Sequence, residues 1–124
     1  MKINEQELET LIEYGFNTLL QPYSISLSDI QFKIEDKILG KGILEYKDKS
    51  YNITTSFLID YKYNQLRIYD VKGYVSYMKL NIPIIQLLKT FNHINMINND
   101  IIYECNIPVK VIKIEENSLI VKIC

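Results

Sequence analysis

The segment YNITTSFLIDY, residues 51–61, decides the fold because its apolar and polar side chains alternate. A period of two places successive side chains on opposite faces of a β-strand. One face takes Tyr51, Ile53, Thr55, Phe57, Ile59 and Tyr61, and the other takes Asn52, Thr54, Ser56 and Asp60. The segment therefore predicts a long strand with one face on the core.

The alternation continues on both sides of this strand and is interrupted by short polar joints. These joints are EDK at 35–37, KDKS at 47–50 and YKYNQ at 61–65. Asp, Asn, Ser and Lys in such short runs are typical of tight turns. The joints divide residues 24–80 into four strands of about ten residues or more, joined as hairpins in an antiparallel meander.

Two of these strands change the phase of their alternation. Ile25 and Leu27 share a face, but the next set is Ile30, Phe32 and Ile34; likewise Leu66 and Ile68 are followed by Val71, Val75 and Tyr77. One extra residue exchanges the faces of a strand unless a β-bulge absorbs it. We therefore predict bulges near Ser28–Asp29 and near Asp70, in a long and strongly curved sheet.

Residues 5–20, EQELETLIEYGFNTLL, have the period of an amphipathic helix. The apolar positions follow i, i+3, i+4 spacing and are Leu8, Leu11, Ile12, Phe16, Leu19 and Leu20. Asn4 is the expected N-cap and Pro22 ends the helix. Gly15 costs helix stability, so we expect it to mark close packing against the sheet.

A second helix is predicted in NIPIIQLLKTFN, residues 81–92. Pro83 suits the first helical turn, and Ile84, Leu87, Leu88 and Phe91 form a stripe over two to three turns. Residues 92–100 then read as a polar connector, and residues 101–123 as a short strand and a hairpin turning at Glu115–Ser118.

The predicted fold class is α+β in a single domain. Its parts are an N-terminal helix, a long curved four-stranded antiparallel meander with bulges, a short second helix and a C-terminal β-hairpin.

The composition argues against several classes of function. A formal net charge of -1 gives no global attraction for nucleic acid. His93 is the single histidine, and Cys105 and Cys124 are far apart and read as free thiols, so no zinc site is expected. Asp60 and Asp70 flank one hairpin, but charged hairpin mouths are more common than catalytic pairs. We expect a non-enzymatic protein without a cofactor.

The N-terminal residues turn acidic where an export signal would be apolar, and no apolar run reaches the roughly 18 residues that span a bilayer. We therefore expect a cytoplasmic location and no transmembrane segment.

Two stretches, YMKLNIPIIQLLKTF and IPVKVIKIEENSLIVKI, carry a resemblance. With the order of elements above, they resemble the tubular lipid-binding (TULIP-like) proteins, among them the small bacterial YpmS-like and LmeA-like proteins. The resemblance implies a TULIP-like half barrel, in which a curved sheet wraps around helices and holds acyl chains in the gap.

The candidate ligand-binding residues lie on the second helix, the central strand and the first helix. They are Ile84, Leu87, Leu88, Phe91, Phe57, Ile59 and Leu19. An unfilled gap of about 300 Å³ would cost roughly 7 kcal/mol, so side chains, an apolar ligand or a second subunit must fill it. The alternative function is a protein–protein interaction or homodimerisation module with a closed core and no ligand.

Overall fold

The structure, a computed structural model, describes residues 2–90, 94–104, 108–115 and 118–123. A 3-10 turn, Gln21–Tyr23, follows the first helix. In chain order the other elements are β1 Lys2–Ile3, α1 Glu5–Leu20, β2 Ile25–Ile34, β3 Ile38–Tyr46, β4 Lys49–Lys62, β5 Gln65–Tyr77, β6 Leu80–Pro83, α2 Ile84–Leu88, β7 Met96–Ile97, β8 Asp100–Glu104, β9 Val109–Glu115 and β10 Ser118–Ile123.

The chain is mostly β, with 63% of the described residues in strands and 21% helical. Within those residues the strands form one ten-stranded antiparallel sheet. The predicted α+β fold with a four-stranded meander and a separate hairpin is therefore wrong. The terminal hairpin β9–β10 belongs to the same sheet, because Tyr61 of β4 pairs with Ile112 of β9.

Strands β2 to β5 pair consecutively, and their register shifts at the two positions predicted from the phase changes. On β2 the shift lies between Ser28 and Gln31. On β5, Asp70 and Val71 both lie opposite the single residue Phe57 of β4. Asp29 and Asp70 have positive φ angles, 51° and 52°, a conformation that Asp adopts more easily than most residues. Both predicted bulges are confirmed.

The two longest strands, β4 and β5, each change partner along their outer edge. β4 pairs with β3 as far as Phe57 and then meets β9 at Tyr61. β5 pairs with β8 over residues 65–68 and with β6 over residues 74–77. Bulges add twist to a strand. Each of these two strands therefore leaves its first partner and pairs with a second one farther along its length.

The second helix is shorter than predicted, and a strand precedes it. Asn81 and Ile82 continue the sheet by pairing with Ser76 and Val75, so α2 begins only at Ile84. The helix ends at Leu88 because both the backbone N–H and the hydroxyl of Thr90 donate to the Leu87 carbonyl, at 3.1 and 2.7 Å.

The predicted polar connector at 92–100 contains strand β7 and the turn into β8. Asn98 and Asn99 have φ angles of 53° and 68°, as in a two-residue hairpin turn that favours Asn. The two asparagines thus join paired strands.

Helix α1 has the predicted bounds, and Asn4 caps it. The Glu7 N–H donates to Asn4 Oδ1 at 2.8 Å, and the Asn4 N–H donates to Glu7 Oε1 at 3.3 Å, which is a capping box. The interpretation of Gly15 is wrong, because a Cβ atom there would meet no atom within 4 Å. Gly15 faces open space.

Two polar side chains of α1 form hydrogen bonds with backbone groups on the unpaired edge of β2. The Asn17 amide accepts from the Leu27 N–H at 2.7 Å and donates to the Leu27 carbonyl at 3.1 Å. Glu9 Oε1 accepts from the Phe32 N–H at 2.9 Å. An unpaired strand edge invites association, and α1 covers this one while its apolar side faces the core residues Ile34 and Ile38.

Candidate functional site: an apolar cavity between the sheet and two helices

A cavity of about 160 Å³ lies among the sheet, α1 and α2. The sheet face that lines it carries Leu44, Ile53, Phe57 and Val75, and we call this the inner face. Helix α1 packs on β2, whereas α2 packs on β5 and β6. The two helices therefore stand at opposite sides of the inner face, with the cavity between them.

Two glycines on β3 leave room in the floor of the cavity. Gly40 pairs with Thr55 and Gly42 pairs with Ile53, so both would direct a side chain onto the inner face. A Cβ on Gly40 would lie 2.7 Å from Cε1 of Phe32, which shows that this ring lies across the glycine. A Cβ on Gly42 would sit at an ordinary 3.5 Å from Ile30 Cγ1.

The sides of the cavity come from the two helices. Helix α1 supplies Leu8, Ile12, Phe16 and Leu20. Helix α2 supplies Ile84, Leu87 and Leu88. Their i, i+3, i+4 spacing puts each set on one face of its helix.

The wall offers almost no hydrogen-bonding capacity. Lys41 and Thr55 are its polar residues, and Lys41 is exposed to solvent. The Thr55 hydroxyl donates to the Lys72 carbonyl at 2.8 Å. Water needs two to four polar partners to occupy a cavity, so this one favours apolar occupants.

Five of the seven predicted ligand-binding residues line this cavity: Phe57, Ile59, Ile84, Leu87 and Leu88. Phe91 and the side chain of Leu19 lie outside the described part of the chain. The sequence analysis missed the two glycines and Ile12 of α1 as wall residues. The signal for the glycines was their place at two alternating positions of one strand, where a core strand normally carries apolar side chains.

The cavity is about half the size assumed from sequence, and its cost is correspondingly smaller. At roughly 24 cal/mol per Å³, an empty space of 160 Å³ costs about 4 kcal/mol. That is a large part of the 5–15 kcal/mol typical of a domain's stability.

The molecule exposes more surface than a compact monomer of its mass. The accessible area is 8427 Å², whereas a monomer of 14.6 kDa has about 6,900 Å² by the usual scaling. Among the wall residues, Ile12, Phe16, Ile53 and Leu87 are only half-buried. The apolar wall of the cavity is therefore incompletely covered.

The acidic residues considered from sequence lie in separate ion pairs. Asp60 and Asp100 flank Arg67, at 3.9 and 3.3 Å. Asp70 accepts from Lys37 at 3.1 Å and lies 3.6 Å from Lys72. The hydrogen bond from Lys37 is the main reason that the pKa of Asp70 falls below its ordinary value.

Within the described ranges, no cluster of three or more His, Cys, Asp or Glu side chains is placed to hold a metal ion. His93, Cys105 and Cys124 lie outside those ranges. No described helix combines the length and apolar character that a bilayer crossing requires.

A comparison with protein families, with curated proteins and with solved structures found no similar protein.

Proposed function

We propose that this protein binds a small apolar ligand, one aromatic ring or a single alkyl chain, in the cavity between the inner face and the two helices. The observation that carries the proposal is the cavity wall, which is apolar apart from Lys41 and a hydrogen-bonded Thr55.

The size of the cavity restricts the ligand. Pockets that enclose drug-sized ligands measure about 300–1,000 Å³, and this one measures about 160 Å³. A cavity of about 150 Å³ in another protein binds benzene. Each buried methylene contributes about 0.8 kcal/mol, so roughly five of them would offset the cost of the empty space. A lipid with two acyl chains is too large to be enclosed.

The remaining expectations accompany this proposal as predictions. They are a cytoplasmic location, a non-enzymatic role without cofactor or nucleic acid, and kinship with the TULIP-like proteins.

The proposal is tested by filling the floor of the cavity. Gly42→Val places methyl groups in the empty space, because a Cβ fits at this position. We expect decanoate at a hundredfold excess over Kd to raise the free energy of unfolding of the wild type by about 2.7 kcal/mol through mass action, and therefore to raise its Tm. The Tm of Gly42→Val should stay unchanged.

The matched control is Asn52→Val, which places the same side chain on the opposite face of the neighbouring strand β4. It should keep the decanoate response. An equal response in Gly42→Val and wild type would show that decanoate binds elsewhere, and no response in the wild type would contradict the proposal.

A second candidate function is homodimerisation through the outer side of α1. Leu11 and Tyr14 are 58% and 77% exposed, and Gly15 beside them faces open space, so a second helix has room to approach. Sedimentation equilibrium would favour this function if it showed a dimer that Leu11→Lys dissociates. A monomer at every concentration would exclude it.

A further inference from the structure

An apolar path leads from the cavity to the turn of the β5–β6 hairpin. Val75 pairs with Ile82, and Tyr77 pairs with Leu80, so these side chains share the inner face. Exposure rises along the path from 3% at Val75 to 39% at Ile82, 67% at Leu80 and 87% at Met78. The apolar inner face thus continues from the cavity wall into solvent.

Met78 occupies a turn position whose backbone conformation is unfavourable for most side chains. Its φ angle is 55°, in the left-handed region that costs most L-residues roughly 1–2 kcal/mol. Asn supplies this conformation in the turn between β7 and β8. A Met that is almost fully exposed in such a turn contributes little to the core, so what distinguishes Met78 is its place at the end of the apolar path.

The β3–β4 hairpin lies at the same end of the molecule. The rings of Tyr51 and Tyr77 are 5.1 Å apart, which joins the two hairpins side by side. We define the tip as residues 45–50 and 77–80.

The tip combines basic and aromatic residues. Its charged side chains are Lys47, Lys49, Lys79, Glu45 and Asp48, three lysines against two carboxylates. Two of the lysines lie over tyrosine rings, Lys47 over Tyr46 and Lys49 over Tyr77, at 5.1 and 5.6 Å from the ring centroids.

The opposite end of the sheet, beside the N-terminus of α1 and the β2–β3 turn, has the reverse balance. Its charged side chains include Lys2, Glu5, Glu7, Glu9, Lys33, Glu35, Asp36 and Lys37, together with Asp70 and Lys72, which pair with them. With six carboxylates against four lysines, this end carries more negative than positive charge. In the field of an anionic surface the molecule would therefore turn its tip toward that surface.

We propose that the tip docks on an anionic lipid bilayer, with Met78 and Leu80 entering the interface and the three lysines meeting the headgroups. Exposed apolar side chains flanked by Lys and Tyr are the combination that favours membrane interfaces. Each lysine near such a surface contributes attraction that salt screens. The inference rests on the proposed function, because the bilayer becomes the source of the apolar ligand and the exposed path leads from it to the cavity.

The test measures co-sedimentation of the full chain with phosphatidylcholine vesicles, with and without phosphatidylglycerol. We expect binding to the anionic vesicles, weakened by salt. The double variant Met78→Asn, Leu80→Thr should weaken it at least about tenfold, since two apolar side chains no longer enter the interface. Asn suits the φ angle of residue 78, so the turn is preserved.

The matched control is Tyr63→Asn. Tyr63 is 92% exposed and has a φ angle of 54° in the β4–β5 turn, which lies away from the tip. This variant should bind vesicles as the wild type does. Equal binding of the wild type to neutral and anionic vesicles would overturn docking, and so would an equal loss of vesicle binding in the double variant and in Tyr63→Asn. Docking is also overturned if the double variant abolishes self-association of the chain and leaves vesicle binding unchanged.

The decanoate response separates this inference from the proposed function. The double variant should keep that response while losing the vesicles, and Gly42→Val should bind vesicles without responding to decanoate. Vesicle binding by a wild type that ignores decanoate would contradict the proposed function and leave docking supported. A wild type that responds to decanoate but ignores vesicles would contradict docking alone.

Discussion

At the scale of the residue, the glycines differ in what surrounds them. A Cβ on Gly73 would collide with the Thr54 carbonyl oxygen, and the φ angle of Gly73 is 126°. Gly15 has open space around it in a helix. The same substitution should therefore have opposite effects at the two positions.

We expect Gly73→Ala to destabilise the protein by about 2 kcal/mol or more, because both the backbone conformation and the clash oppose it. Gly15→Ala should stabilise it by about 0.5–1 kcal/mol through helix propensity alone. Urea denaturation measures both. A destabilised Gly15→Ala would mean that the helix packs more closely there than the structure shows.

Asp70 is the residue from which a pH dependence is expected. Its pKa is lowered in the folded state, first by the hydrogen bond from Lys37 and then by the nearby charges of Lys37 and Lys72. A lowered folded pKa adds stability above the ordinary pKa of 3.8, and this stability is lost as the pH falls through the folded pKa.

Asp70→Asn should lower stability at neutral pH and have no effect once the pH is below both pKa values of Asp70. Asn tolerates the positive φ angle of this position, so the bulge is kept. Thermal unfolding from neutral to acid pH measures the difference between the two proteins, and a difference that stays constant with pH would contradict the assigned ion pairs.

At the scale of the element, α1 stabilises the sheet by covering the edge of β2. Asn17→Ala removes both partners of the half-buried Leu27 peptide group. We expect a loss of about 1–2 kcal/mol, since buried polar groups left unpaired are costly.

Thr18→Ala is the control for Asn17→Ala. The Thr18 hydroxyl bonds only within the helix, to the Tyr14 carbonyl at 2.9 Å, so its loss should change stability by less than about 0.5 kcal/mol. Equal effects of the two substitutions in urea denaturation would show that the edge contact contributes nothing.

Elements whose signals are local could be predicted from sequence. Helix α1 carries its own cap and a regular apolar stripe, and its bounds were correct. The bulges at Asp29 and Asp70 were predictable because a change of phase is visible within one strand.

Elements decided by distant partners could not be predicted. Pro83 is compatible both with a helix start and with a strand end, and pairing of Ile82 with Val75 decides between them. The two-residue strand β1 exists because Lys2 and Ile3 pair with Ile120 and Leu119 at the other end of the chain. Such pairings have no local signature.

At the scale of the whole molecule, sequence periodicity indicated which residues face the interior, but not the volume they leave. Phe57 and Leu87 both line the cavity, and each lies on an apolar face of its element. The distance between α1 and α2 depends on the twist that the bulges give the sheet. The depth of the cavity depends on the register that places both Gly40 and Gly42 on the inner face. Neither quantity can be derived from spacing.

The central claim is that the cavity holds an apolar ligand, and isoleucine-methyl NMR during a decanoate titration tests it most directly. The methyl signals of the wall residues Ile12, Ile53 and Ile84 should shift together and saturate, while those of Ile43 on the opposite face of β3 and of the exposed Ile97 stay in place. The Gly42→Val variant should show none of these shifts. Unchanged wall signals at saturating decanoate, or shifts confined to Ile43 and Ile97, would contradict the account.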